Sequence, residues 1–469
     1  MPNEPSQVYI PSHLLPLLSP ISALIPNPRN TRTHTKRQIK QLANSEKQFG
    51  FVSPIIVDQN GMVLKGHGCL EAAKLLGLTH APVVRLDHLN ETQKRAFVIA
   101  DNRLAEKAGW DRALLAVELG DLADLCISED FSVTITGFET AEVDAILADH
   151  ADTARDPADD CPGVAEHRAM SRSGDVWALS GHRLSCDDAR DPDAYSKLMG
   201  GEHADMIFAD PPYNVKVDGH VGGRGAVRHS EFAMASGEMS PPEFTEFLRA
   251  CLSTMRGTLR PGGLLYICMD WRHFDELSAA GKAALLAQRN VCVWVKSNAG
   301  QGSFYRSQHE LVFVFQSGEG AFINNVELGK FGRNRSNVWN YPGVNTFRAG
   351  RMDDLAAHPT VKPVALVADA IKDATHRGGI VLDPFMGSGT TLLAAEKVGR
   401  RGYGIEYERH YVDVAIRRWQ AYTGKDAIQL SSGRSFDELA ASRDAERLPE
   451  PSTPPSRPIP ARVAANSDE

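Results

Sequence analysis

The stretch that most constrains how this chain can fold is Gly379-Ile380-Val381-Leu382-Asp383-Pro384-Phe385-Met386-Gly387-Ser388-Gly389-Thr390-Thr391. A hydrophobic run, an Asp at its end, a Gly-x-Gly turn and the helical pattern Leu392 to Val398 describe a strand, a tight turn and a helix in succession. An open α/β sheet builds a cofactor crevice this way at the carboxyl edge of its strands, with glycines letting the backbone approach a ligand without a Cβ in the way. An acid about 20 residues further on, after a second strand, suits ribose hydroxyls. Arg401-Gly402-Tyr403-Gly404-Ile405-Glu406 supplies one in Glu406.

A second stretch, Asp205-Met206-Ile207-Phe208-Ala209-Asp210-Pro211-Pro212-Tyr213-Asn214, reads as a buried parallel strand stopped by two prolines that cannot donate to a ladder. It places a carboxylate, a free carbonyl and an aromatic ring in one rigid turn. Asp210 and the Pro211 carbonyl can accept the two hydrogens of an exocyclic amino group, and Tyr213 can stack on a flat base.

Asp210-Pro211-Pro212-Tyr213 resembles the catalytic motif of the amino-methylating DNA methyltransferases, in the form most often associated with adenine N6. Asp383 to Thr391 is similar to the S-adenosylmethionine motif of the same enzymes. By that resemblance Asp383, Phe385, Gly387 and Gly389 line the methionine half of the cofactor, Ser388 and Thr390 belong to the same binding turn, and Glu406 binds the ribose. His358-Pro359-Thr360-Val361-Lys362-Pro363 matches the segment that completes the cofactor pocket through Thr360 and Lys362. His182-Arg183-Leu184-Ser185-Cys186-Asp187-Asp188 resembles the segment whose acid reads the cofactor adenine, with Asp188 aligning better than Asp187. Ser303 to Glu310 resembles a segment that helps shape the target-base pocket. The order, catalytic motif first and cofactor turn last, is that of the β group. The resemblance implies a Rossmann-like α/β fold and transfer of a methyl group to adenine N6 in double-stranded DNA after base flipping. Cytosine N4 methylation and a non-catalytic DNA-binding regulator remain as alternatives, and a homodimer is left open. No metal is expected.

Composition sets outer limits on this reading. At 469 residues, 42% hydrophobic and 23% charged, the chain predicts two or three domains. No apolar run approaches a membrane span and no secretory leader is evident, so a cytoplasmic protein is expected. Its seven cysteines include no Cys-x-x-Cys pair, which excludes the usual zinc spacings. A formal charge of -8 offers no global attraction to nucleic acid, so DNA binding must rest on local basic stretches. Gly329 to Arg351 is one: Lys330, Arg333, Arg335, Asn337 and Arg348 are of the types that pair with base edges and phosphates, and they mark a target-recognition region over about 320–352.

Residues 1–147 read as a first unit. Gly66 to Ala73 opens a helix after a Gly-rich turn, and residues 20–106 resemble the small α+β ParB-like nuclease-fold domain of partition proteins, distantly related to sulfiredoxin. Where the partition proteins carry a Gly-Glu-Arg-Arg turn, this chain has Gly66-His67-Gly68-Cys69, a departure from the phosphate-binding pattern. Arg29, Arg32, Lys36, Arg37 and Lys40 form a basic run suited to DNA. Trp110, Leu114, Leu115, Leu119, Leu122 and Leu125 fall at helical spacing and are expected in a core. Residues 148–173 read as a linker, 174–430 as the catalytic domain, and 435–469 as a disordered tail.

Overall fold

Two sheets organise the chain, and the computed structural model describes residues 8–128, 132–149, 158, 169–215, 237–297, 299, 304–330, 333–342 and 362–445. The first unit runs β1 (Leu18–Pro20), α1 (Lys36–Phe49), β2 (Ile55–Asp58), β3 (Val63–Lys65), α2 (His67–Leu75), β4 (His80–Leu86) and α3 (Glu91–Glu106), with sheet order β1-β4-β2-β3. The Asn60-Gly61 turn joins β2 and β3 as an antiparallel pair, with Gly61 at φ 83°. Asn90 and Gln93 form a capping box that starts α3. Lys94 on that helix sends a buried ammonium to Asp58, 3.0 Å away, and fastens it to the sheet.

Two of the five residues of this unit's basic run are held in ion pairs within the chain. Arg32 pairs with Glu106, and Arg37 reaches Glu139 and Glu327. Next come α4 (Arg112–Ser128) and α5 (Thr140–Asp149). Only half of the apolar positions expected in a core are inside. Leu119 is buried and Leu115 and Leu122 pack beside it, whereas Trp110, Leu114 and Leu125 are exposed. The reason is geometric: residues 115, 119 and 122 share one helical stripe, and α5 covers only that stripe.

The second sheet is assembled from β5 (Val176–Leu179), β6 (His182–Ser185), α6 (Pro192–Met199), β7 (Ala204–Ala209), α7 (Pro241–Thr258), β8 (Leu259–Met269), α8 (Phe274–Ala283), β9 (Leu286–Val295), β10 (His309–Ser317) and β11 (Val338–Asn340). It continues through α9 (Val364–Ala374), β12 (Ile380–Asp383), α10 (Thr390–Lys397), β13 (Arg401–Ile405), α11 (Arg409–Thr423), β14 (Ile428–Gln429) and α12 (Phe436–Ala445). The strand order is β11-β9-β10-β8-β7-β12-β13-β6-β5-β14, parallel from β8 to β6. Alternate residues of β7 enter opposite cores: Met206 and Phe208 pack towards α9, α10 and α11, and Ile207 and Ala209 towards α6, α7 and α8. Burial on both faces explains why these strands read as continuous apolar runs. The chain proceeds outward in opposite directions from β7 and β12, which makes the gap between them a topological switch point, where such sheets bind ligands.

Two boundaries differ from expectation. The stretch read as a linker is held to the second unit at both of its described parts: Ala158 is fully buried and its carbonyl accepts a hydrogen bond from Arg418 at 2.8 Å, and the Met170 and Ser171 amides donate to Asp413. The chain also stays ordered beyond residue 435, because Phe436 is buried against Trp177 with ring centroids 5.2 Å apart and anchors α12. Residues 446–469 lie outside the described residues.

The first unit is fastened to the second sheet by α5. Asp144 on that helix makes a paired ion bridge to Arg400 at 3.0 and 2.8 Å and a third contact to Arg377 at 3.2 Å, while Thr140 meets His376 at 3.1 Å. His376, Arg377 and Arg400 precede β12 and β13. The first unit therefore docks at the edge opposite the carboxyl ends of the parallel strands.

Candidate active site

Ile207 on β7 pairs with Leu382 on β12, so the two turns that the sequence marks, Asp210 to Tyr213 and Asp383 to Thr390, leave neighbouring strands side by side. One cavity takes in both, with Asp188 and Glu406 from the ends of β6 and β13 completing its wall. Pro211, Pro212, Phe385, Gly387, Ser388 and Thr390 also line it. Gly389 does not. It caps α10 at φ 87°, and a Cβ there would stand 2.9 Å from Ala415, so this glycine permits close packing of α10 on α11 behind the wall. Thr360 lies outside the described residues.

The cofactor half of the cavity is shaped by its own backbone. Glu406 accepts the Gly387 and Glu408 amides, both at 2.7 Å, which ties the end of β13 to the glycine turn. Asp383 accepts the Phe385 amide at 2.9 Å and the Thr391 hydroxyl at 2.6 Å, so it braces the turn and the first turn of α10. Burial pushes both carboxyls up to about 7 against these hydrogen bonds. Asp188 is gripped by Arg190 at 2.6 Å, and that hydrogen bond holds its carboxyl below the ordinary Asp range. Asp187 accepts from the Ser185 hydroxyl at 2.5 Å and is absent from the wall.

The other half is a buried charge network. The Lys362 ammonium lies 2.5 Å from Asp210 Oδ2, 2.8 Å from Glu310 Oε1 and 3.2 Å from the Tyr213 hydroxyl. Tyr213 Oη reaches both Asp210 and Glu310, the latter at 2.5 Å, and Lys296 closes on Glu310 Oε2 at 2.9 Å. Burial drives the Asp210 carboxyl up, Lys362 opposes this, and the net direction is upward. Glu310 feels the same burial, but Lys362 and Lys296 overcome it and bring the carboxyl down to about 2. Asp210, Cys268 and Glu310 bring ligand-type atoms within 4.8 Å of one another; the cation that both carboxylates hold here is the Lys362 ammonium. Lys362, expected in the cofactor pocket, thus lines that cavity and also seats on Asp210.

Glu310 and Lys296 escaped the motif reading. Glu310 closes the segment read as shaping the base pocket, yet nothing in a strand sequence tells which carboxylate faces a motif a hundred residues upstream.

The target-recognition reading needs correction. Arg333 is nearly buried, with Nη2 2.5 Å from Asp373, and Arg335 meets Asp373 at 2.7 Å and Asp369 at 3.2 Å. These guanidiniums clamp the segment before β11 onto α9 and are unavailable to base edges. Asn337 is exposed and donates to the Val291 carbonyl at 3.4 Å, and Lys330 is exposed beside Glu327. Arg348 lies outside the described residues.

Comparison with known proteins agrees with this geometry. Residues 204–417 match the DNA methylase family of the N6/N4 type, and residues 113–173 match the ParB-methyltransferase HTH domain. Residues 204–417 thus carry a DNA methylase domain of the N6/N4 type, next to a ParB-methyltransferase HTH domain. The HTH match runs through α4, α5 and the whole segment read as a linker. Among relatives, the type II methyltransferase M.HpaI of Haemophilus parainfluenzae is 26% identical over 251 residues, covering 50% of this chain and 74% of that protein. M2.DpnII of Streptococcus pneumoniae is 29% identical over 231 residues, covering 48% and 85%. The solved PvuII DNA methyltransferase, described as cytosine-N4-specific, shares 14% identity at a TM-score of 0.41, covering 60% of this chain and 95% of its own. No helix among the described residues is long and apolar enough to cross a membrane.

Proposed function

We propose that this chain transfers a methyl group from S-adenosylmethionine to the N6 amino group of adenine in DNA. One observation carries the reading: the Asp210-Pro211-Pro212-Tyr213 turn and the Asp383-to-Thr390 turn open into a single cavity at the switch point. The cofactor is S-adenosylmethionine, with Glu406 facing its ribose hydroxyls and the glycine turn its methionine half. The target amine is a poor nucleophile because its lone pair is delocalised into the ring. Hydrogen bonds from its two protons to Asp210 and the Pro211 carbonyl return electron density to nitrogen. Nitrogen then bonds the methyl carbon, sulfur keeps the electron pair of the broken bond, and the nitrogen sheds one proton. Because the amine is paired inside a duplex, the base must turn out first, at a cost of a few kcal/mol.

In this structure Tyr213 and Lys362 occupy both oxygens of Asp210. Stacking of the Tyr213 ring on an entering base draws its hydroxyl off Oδ1 and opens that side of the carboxylate to the amine, while Lys362 stays on Oδ2.

Expression in a methylation-free host followed by single-molecule sequencing tests the assignment. N6-methyladenine in one sequence context is the expected product. N4-methylcytosine would overturn the choice of base and leave the constellation standing, and unmodified DNA would overturn the reading.

A pH dependence follows from the cofactor half. A carboxylate can accept two ribose hydroxyls only when ionised, and burial holds Glu406 protonated up to about 7. Binding must then release a proton at low pH, so affinity rises as pH climbs through about 7. Titration calorimetry with S-adenosylmethionine at about pH 6 and pH 8 should show several-fold tighter binding at the higher pH, and Glu406→Gln should flatten that gain. A wild-type affinity that ignores pH would count against Glu406 as the ribose ligand.

A further inference from the structure

We propose that Glu310 is a positioning residue for methyl transfer, which holds the Lys362 ammonium on Asp210 while Tyr213 moves to the base. The proposal rests on the methyltransferase reading above and gives Glu310, the last residue of the segment read as shaping the base pocket, a role of its own.

Topology brings Glu310 to the site. β10 runs antiparallel to β8, so its first residues, His309 and Glu310, arrive at the carboxyl edge of the parallel strands, two strands from β7 and its Asp210. β9 runs back beside it and delivers Lys296 to the same edge. Glu310 is 8% exposed and Lys362 is 7% exposed, so neither charge is answered by bulk water.

The count of donors and acceptors gives Glu310 two tasks. Tyr213 has a single O–H proton within reach of two carboxylates and can donate to one at a time. Lys362 has three N–H groups, and Asp210, Glu310 and the Tyr213 oxygen use all three. Glu310 is thus the second anchor of the ammonium and the alternative seat of the tyrosine proton. When Tyr213 swings away, Asp210 loses one donor, and its orientation depends on Lys362 alone. A buried ammonium with one carboxylate partner could pivot; held also by Glu310 Oε1, with Lys296 bracing Oε2, it cannot.

The test is a set of single-turnover measurements on the full chain with methylatable DNA and labelled S-adenosylmethionine. Glu310→Gln, which keeps the shape, should slow methyl transfer by roughly 10- to 100-fold, the scale of a misplaced catalytic group. Equilibrium affinity for S-adenosylmethionine and for DNA should stay within about threefold, a split that general loss of structure would not give. If Glu310 acts through Lys362, the double variant with Lys362→Met should be no slower than Lys362→Met alone, because residues of one network do not add. A Glu310→Gln rate within about twofold of wild type, or additive losses in the double variant, would overturn the proposal. Methylation by wild type together with an unimpaired Glu310→Gln sinks this proposal alone, whereas no product from wild type sinks the methyltransferase reading and this proposal with it.

Discussion

Asp210→Ala is expected to lower the single-turnover rate by about 10³-fold or more while leaving S-adenosylmethionine affinity close to wild type. The magnitude is that of removing a preorganised group aimed at charge developing in the transition state. The split between rate and affinity follows from position. Asp210 belongs to the base half of the cavity, whereas the glycine turn, Glu406 and Asp188 are held by hydrogen bonds that do not pass through it. Removing Asp210 also leaves Lys362 paired with Glu310 at 2.8 Å, so the buried ammonium keeps a counter-ion and the fold survives. Rapid-quench methylation and calorimetry on one preparation check both halves. A variant that retained more than about a tenth of the rate would remove Asp210 from the chemistry.

The second large effect concerns assembly of the chain. Asp144 and Arg400 are almost wholly buried and meet through two hydrogen bonds, with Arg377 against the same carboxylate. Asp144→Ala leaves the Arg400 guanidinium inside without its charge partner, although the Val398 and Thr375 carbonyls still accept from it. Breaking a buried pair in this way costs about 3–5 kcal/mol. Denaturant unfolding should show that loss, and limited proteolysis should cut between the first unit and the catalytic domain in the variant and spare the wild type. Equal stability would mean that α5 rests on the catalytic domain without being held by it. The sign of the pH effect is fixed as well. Burial raises the Asp144 carboxyl, but Arg400 and Arg377 more than offset this and hold it below its ordinary value. The contribution is therefore complete above the usual Asp range and is lost only as pH falls below it.

The walls of the cavity are legible in the sequence wherever they are local. Strand, acid, glycine turn and helix follow one another within a dozen or so residues, so apolar runs and turn residues were enough to locate both halves of the cavity. Residues that serve by long-range contact were misread. Arg333 and Arg335 have the composition of a DNA-reading loop, and only the fold reveals Asp369 and Asp373 beneath them. Trp110, Leu114 and Leu125 share a helical period with buried leucines, but period alone does not say how much of a helix its neighbour covers.

What the sequence by itself determined is therefore the chemistry of the two turns and their order along the chain, because each turn is dictated by residues in covalent succession. What only the tertiary structure decided is which distant charges meet them. The reversed direction of β10 brings its first residues, with Glu310, and the end of β9, with Lys296, against Asp210 and Lys362, and the docking of α5 sets the first unit at the opposite edge of the sheet. Buried charges must find partners, and the partner is set by strand order and direction, which no local stretch of sequence encodes.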